Sequence, residues 1–256
     1  MGPMSSIPRL FVSLPLSAGN HIQLDDSQGK YLTRVMRLND GAIVRLFNGK
    51  DGEWQARLEL GSGKKVFVVP DEQTRQQVAA PDLTLLFAPL KKTRTDFVVE
   101  KACELGVQHI QPVMTERTQS SRVRSDRLQS VVIEAAEQTE RMDVPVVADD
   151  VPLLKALDAW DPSRPLYYCD EAGEAHPMAQ TLAETEYGPA GILIGPEGGF
   201  SEQERAKIRS LPFVVPVTLG PRILRAETAA VAALTLWQSM VGDWRERPYL
   251  PDTRIA

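Results

Sequence analysis

Hydrophobic and polar positions follow one rhythm before residue 70 and another after residue 82. Across 7–70 the apolar residues come in short runs. Leu10–Leu14, Ile22–Leu24, Ala42–Phe47, Trp54–Leu60 and Lys65–Val69 read as strands. Asn48-Gly49-Lys50-Asp51-Gly52 supplies turn chemistry between two of them. One short helix is expected over Lys30–Leu38, with Arg34 and Arg37 one turn apart on a shared face. The pattern is that of a small β-barrel. Asp71–Pro81 is polar, ends in proline and reads as a linker. Domains are therefore expected at 1–72 and 83–256, with 73–82 between them.

Beyond the linker, strands and helices alternate. Leu83–Ala88, Val107–Val113, Val144–Ala148, Leu166–Cys169, Gly191–Ile194 and Phe213–Leu219 read as strands. Thr95–Leu105, Asp126–Arg141, Leu153–Trp160, Met178–Thr185, a segment from Glu202, and Glu227–Trp244 read as helices. Gly106 ends the first of these, and Ser125 is an N-cap candidate for the second. Such alternation predicts an α/β domain, a parallel sheet with helices on both faces. No repeat of fixed period is visible.

Composition narrows the class. At 43% hydrophobic and 25% charged, the 256-residue chain is expected to be a soluble globular protein rather than a disordered one. No run approaches the roughly 18–20 apolar residues of a membrane span. The start lacks a signal-peptide order, so a cytoplasmic location is expected. Gly2 and Ser6 fit a myristoylation pattern, but residues added ahead of a start at Met4 explain them better. Cys103 and Cys169 lie far apart in apolar surroundings and read as small buried hydrophobes in a reducing compartment. His21, His109 and His176 are scattered, and no CxxC, HxxxH or HExxH is present, so no metal site is expected.

The formal net charge of −5 argues at first against a nucleic-acid partner. Its distribution reverses that. Residues 1–127 carry 18 Lys+Arg and 14 Asp+Glu, while residues 128–256 carry 11 and 20. The basic residues of the first half cluster as Lys30, Arg34 and Arg37; Lys91, Lys92 and Arg94; and Arg117, Arg122, Arg124 and Arg127. A polyanion is expected on one face and excluded from another.

Two strand-end loops stand where parallel sheets bind ligands. Gly195-Pro196-Glu197-Gly198-Gly199-Phe200 is rich in glycine, which lets backbone groups approach a ligand, and Ser201 with Glu204 forms a capping box behind it. A phosphate cradle is the rival reading. The loop lacks a Gly-Lys-Ser/Thr ending, and Glu197 would repel phosphate. The second loop, Leu219-Gly220-Pro221-Arg222-Ile223-Leu224-Arg225, enters an Ala-rich helix containing Glu227.

Together these loops resemble the cofactor loops of SPOUT RNA methyltransferases, most of all the RsmE family, which methylates ring N3 of a uridine in 16S ribosomal RNA of the small subunit. Ile7-Pro8-Arg9, Thr33-Arg34-Val35-Met36-Arg37-Leu38, Glu100 to Val107, Thr115-Glu116-Arg117, and Glu134 to Gln138 with Arg141 extend the resemblance over nearly the whole chain. One departure is Glu140, where the family often has glycine. The resemblance implies a PUA-like N-terminal barrel, a knotted SPOUT domain with a deep trefoil knot, a homodimer, and S-adenosylmethionine bent into the knot loops. Cofactor binding then falls to Tyr168, Cys169, Gly195, Pro196, Glu197, Gly198, Gly199, Leu219, Gly220, Ile223, Leu224 and Arg225.

Uridine N3 is a poor nucleophile until its proton leaves, and the negative charge then spreads onto O2 and O4. A fixed cation stabilises that state most, which makes Arg225 the first catalytic candidate. Arg9 is the second, by resemblance, and Glu227 is a weaker candidate for general base. Arg9, Lys30, Arg34, Arg37, Lys91, Lys92, Arg94 and Arg117 are expected to hold RNA phosphates. Two alternatives stand beside this reading: a SPOUT enzyme acting on transfer RNA, and a non-catalytic RNA-binding factor of ribosome assembly.

Overall fold

A computed structural model describes residues 7–119, 123–171 and 175–247. The N-terminal myristoylation pattern and Arg122 lie outside the described residues. The chain divides into two compact units. The first joins Met1–Ala79 to Val132–Val144, and the second joins Ala80–Val131 to Pro145–Ala256.

In the first unit, strands β1 (Arg9–Phe11), β2 (Ile22–Gln23), β3 (Ile43–Phe47), β4 (Glu53–Leu60) and β5 (Val66–Arg75) form one sheet in the order β1-β3-β4-β5-β2. β1 lies parallel to β3, and the other pairings are antiparallel. Alternate positions of β3 and β5 are buried, as expected of strands with one face on a core. That core holds Leu10, Ile22, Leu32, Val44, Leu46, Leu58 and Val68. The polar stretch expected to begin a linker at Asp71 is strand as far as Arg75, because Glu72, Gln73 and Arg75 pair with β4.

The helix expected over Lys30–Leu38 starts earlier and changes character. Helix α1 (Asp26–Lys30) is capped by Asp25, whose carboxylate accepts from the Gln28 N–H at 2.8 Å. A π-helical turn, Tyr31–Val35, continues it. Arg37 follows with φ of +54°, a conformation uncommon for an arginine.

In the second unit, β6 (Leu83–Phe87), β7 (His109–Met114), β8 (Val146–Val147), β9 (Val151–Pro152), β10 (Leu166–Cys169), β11 (His176–Pro177), β12 (Ala190–Ile194) and β13 (Val214–Thr218) form a sheet in the order β11-β13-β10-β12-β6-β7-β8, with β9 also on β7. Every pairing is parallel. All five residues of β6 and of β12 are buried, because both faces of these strands are covered. Helices α2 (Lys92–Glu104), α4 (Leu153–Asp158), α5 (Met178–Ala183), α6 (Glu202–Arg209) and α7 (Ala226–Met240) complete the unit. Helix α3 (Ser125–Gln138) contributes its first part to the second unit and its last part to the first. Ser125 is the first residue of α3 rather than its cap.

Candidate active site

Strands β13, β10 and β12 are neighbours, with β10 between the other two. The chain leaves β10 and returns on one side as β12 and on the other as β13. That reversal opens a crevice at the C-terminal strand ends. A cavity of about 290 Å³ lies there, near the lower end of the roughly 300–1,000 Å³ usual for small-molecule sites. It is lined by Tyr168 to Glu171 at the end of β10 and just beyond, by the loop after β12, and by Thr218 to Ala226, from the end of β13 to the start of α7. All of these belong to the second unit.

Tyr168, Cys169, Gly195, Pro196, Glu197, Gly199, Leu219, Gly220, Ile223, Leu224 and Arg225 are therefore brought together as the sequence suggests. Gly198 does not line the cavity, but its carbonyl accepts from Arg117 Nη1 at 2.9 Å. Among the further lining residues, the charged Asp170, Glu171 and Arg205 carry no signal that the sequence reading used. Asp170 directly follows a predicted strand end, which is the signal that could have found it.

Glycine is required at particular points. A Cβ at Gly195 would stand 2.7 Å from the Phe200 ring. At Gly199, φ is +64° and a Cβ would meet Glu171 Oε1 at 2.6 Å. Gly220 has φ of +109° and nothing within 4 Å of its missing Cβ, so its backbone faces open space. The expected capping box is present: the Glu204 N–H donates to Ser201 Oγ at 3.2 Å, and the Ser201 N–H donates to Glu204 Oε2 at 2.9 Å. Glu204 Oε1 also accepts the Glu116 N–H at 2.9 Å. The glycine-rich loop is thus held from the end of β7 as well as from its own helix.

The walls are electrostatically uneven. Asp170 is buried and accepts from both Nε and Nη2 of Arg209. Burial, reinforced by the Asp170 charge, pushes the Tyr168 hydroxyl above its usual range. Burial also pushes the Cys169 thiol up to about 12, so it stays neutral and is no nucleophile at physiological pH. Arg225 is the N-cap residue of α7, is exposed, and has no hydrogen bond or ion pair through its side chain among the described residues.

Other expected site residues are placed elsewhere. Arg9 lies in the first unit at 8% exposure, with each guanidinium nitrogen in a hydrogen bond. Its Nε donates to Glu53 at 2.7 Å, Nη1 to the Ala136 carbonyl at 2.9 Å and Nη2 to the Arg141 carbonyl at 2.7 Å. It also sits 3.8 Å from the centroid of the Phe47 ring. Three of its five N–H donors are taken and its side chain is 5% exposed, which is the environment of a strut. Glu227 does not line the cavity; its Oε1 lies 3.6 Å from Arg94 Nε. The same Arg94 reaches Glu197 Oε1 at 3.6 Å through Nη1. Two residues expected on RNA, Arg94 and Arg117, thus make contacts within the loops of the site.

Lys30, Arg34, Arg37, Lys91 and Lys92 are exposed, and their side chains make no ion pair among the described residues. In the first unit this sets Arg34 and Arg37 apart. Arg9, Arg45, Arg57, Arg75 and Arg141 each pair with a carboxylate. Among the described residues, no group of three or more His, Cys, Asp or Glu could hold a metal ion. No helix among them is long and apolar enough to cross a membrane.

Residues 78–238 match the RNA methyltransferase domain family, and residues 24–71 match the RNA methyltransferase PUA domain family. The chain is 31% identical over 229 residues to ribosomal RNA small subunit methyltransferase E of Rickettsia conorii, covering 88% of this chain and 93% of that one. It is 33% identical to the protein of the same name from Synechocystis, over 83% of this chain and 71% of that one. The crystal structure of ribosomal RNA small subunit methyltransferase E from Neisseria gonorrhoeae bound to S-adenosylmethionine superposes with a TM-score of 0.84. It is 30% identical and covers 93% of this chain and 100% of its own.

Proposed function

Because this chain belongs to the RNA methyltransferase family, of the ribosomal RNA small subunit methyltransferase E kind, we propose that it methylates ring N3 of one uridine in that RNA. It is an S-adenosylmethionine-dependent methyltransferase of 16S ribosomal RNA. The observation that carries the finer reading is the cavity at the ends of β13, β10 and β12, with Arg225, unpaired among the described residues, on its lip.

The residues fit the cofactor. Leu219, Ile223 and Leu224 offer apolar contact for an adenine, and Gly220, with open space where a Cβ would stand, puts no side chain of its own in the way. The cofactor supplies an activated methyl on a sulfonium. Arg225 stays charged and stabilises the negative charge that develops on the uracil oxygens as N3 loses its proton. Glu227 is turned to Arg94 and is not the base. Positioning and fixed charge therefore carry the rate enhancement.

Lys30, Arg34, Arg37, Lys91 and Lys92 hold RNA phosphates; their lack of carboxylate partners supports this. The five-stranded sheet closing as a PUA-like barrel, and the β13-β10-β12 crossing drawn into a trefoil knot, are part of the same reading. So are a cytoplasmic location and a homodimer.

Mass spectrometry of ribosomal RNA from a strain lacking the gene tests the assignment. N3-methyluridine should vanish from small-subunit RNA and return on complementation. An unchanged level would overturn it, and loss from transfer RNA instead would favour the transfer-RNA reading.

A further inference from the structure

Helix α2 begins against its own electrostatics. Its first turn contains no acidic residue, yet Lys91 is its N-cap and Lys92 and Arg94 follow. Cations at a helix N-terminus face the positive end of the macrodipole, so this placement costs stability. Lys91 and Lys92 point to the polyanion already proposed. Arg94 does not share their situation. It is 3.6 Å from Glu197 in the loop after β12, and 3.6 Å from Glu227 in the first turn of α7. Glu227 also keeps a buried Oε2 with no hydrogen-bond partner, so Arg94 is the one cation that compensates this carboxylate among the described residues.

The topology explains how one side chain reaches both loops. α2 follows β6, and β6 is the sheet neighbour of β12, with the Ala88 N–H donating to the Ile194 carbonyl at 3.0 Å. The first turn of α2 therefore starts beside the glycine-rich loop. Without the guanidinium, each carboxylate loses its cation and the two loops lose the side chain that joins them.

We propose that Arg94 is a positioning residue of methyl transfer, a clip that ties Glu197 to Glu227 and so sets the spacing of the two cofactor loops. The inference rests on the methyltransferase reading above and reassigns Arg94 from the RNA surface to the cofactor site. Its charge also cancels that of Glu197, a cavity-lining carboxylate, and so lowers the cost of an anionic uracil nearby.

Calorimetry with S-adenosylmethionine and steady-state kinetics on the full chain test this. Arg94→Ala should weaken S-adenosylmethionine binding and lower kcat, with kcat/KM for the cofactor falling by about 10–100-fold. KM for RNA and its salt dependence should stay at wild-type values. Arg94→Lys should recover most of the loss, which a purely packing role would not predict. Should Arg94→Ala fail to fold, Glu197→Gln removes one anchor of the clip from the other side and should give a smaller loss of the same kind. Unchanged cofactor affinity in the folded variants overturns the proposal. So does an Arg94→Ala protein that loses only RNA affinity. Absence of cofactor binding by the folded wild type would instead sink the methyltransferase reading itself.

Discussion

Two arginines that look alike in the sequence separate on what surrounds them. Arg225 is exposed on the lip of the cavity and unpaired among the described residues, so its charge is available to a substrate. Arg225→Ala should lower kcat by about 10²–10³-fold, the usual cost of removing one charge-stabilising donor, and change cofactor affinity far less. Single-turnover methylation alongside calorimetry reads the two effects apart. Arg9 is the opposite case: its side chain and that of Glu53 are 5% and 1% exposed. Removing one member of a buried pair strands the other, so Arg9→Met should cost about 3–5 kcal/mol in urea denaturation and leave cofactor affinity unaltered. Arg225 was legible because a cation in a strand-end loop has few structural duties. Arg9 was not, because its partners, the carbonyls of Ala136 and Arg141, lie far along the chain and carry no mark in side-chain type. Glu140 is a gentler instance. It occupies a glycine-preferring position with φ of +58°, and ion pairs with Arg45 and Arg75, each at 3.8 Å, offset the strain.

Among elements, most stand where the apolar pattern puts them, the two-residue β2 and β8 included, and the exceptions are β9, β11 and the π-helical turn. The buried strands β6 and β12 and the capping box of α6 all stand where the apolar runs and Ser201 placed them. The two-residue strands β9 and β11 are too short for any period to show. The π-helical turn escaped notice because moving a hydrogen bond from the i−4 to the i−5 carbonyl, as the Met36 N–H does to Tyr31, leaves no trace in composition. The glycine-rich loop and α6 stand as one element, which yields a contrast. Ser201→Ala should cost about 1 kcal/mol of stability in thermal or urea unfolding, through the lost cap. Gly199→Ala should act on the site as well, because its Cβ would displace Glu171 from the cavity wall. Calorimetry should show a larger loss of cofactor affinity for Gly199→Ala than for Ser201→Ala.

For the whole molecule, the charge asymmetry between halves pointed to RNA, and the structure sorts the basic residues into those that are free and those already spent. Arg34 and Arg37 are free, while Arg94 and Arg117 are engaged within the second unit. A double Arg34→Ala, Arg37→Ala protein should bind RNA more weakly and reduce the log–log salt slope by about 2, since each phosphate contact contributes about 1. Filter binding across a salt series checks this, and an unchanged slope would remove both residues from the RNA surface. The division into units has a further consequence, for the order of synthesis. The N-terminal sheet is complete in sequence by Arg75, but the carbonyls that receive Arg9 and the carboxylate that joins Arg45 and Arg75 belong to residues 132–144. A ribosome must therefore make all of residues 80–131 before the first unit can close. During that interval Glu53 has Arg9, Arg45, Thr74 and Arg75 within reach of the chain already made, but Arg9 lacks its two carbonyls. A gene fragment ending at residue 79 encodes an unfinished fold, even though it holds every strand of that sheet.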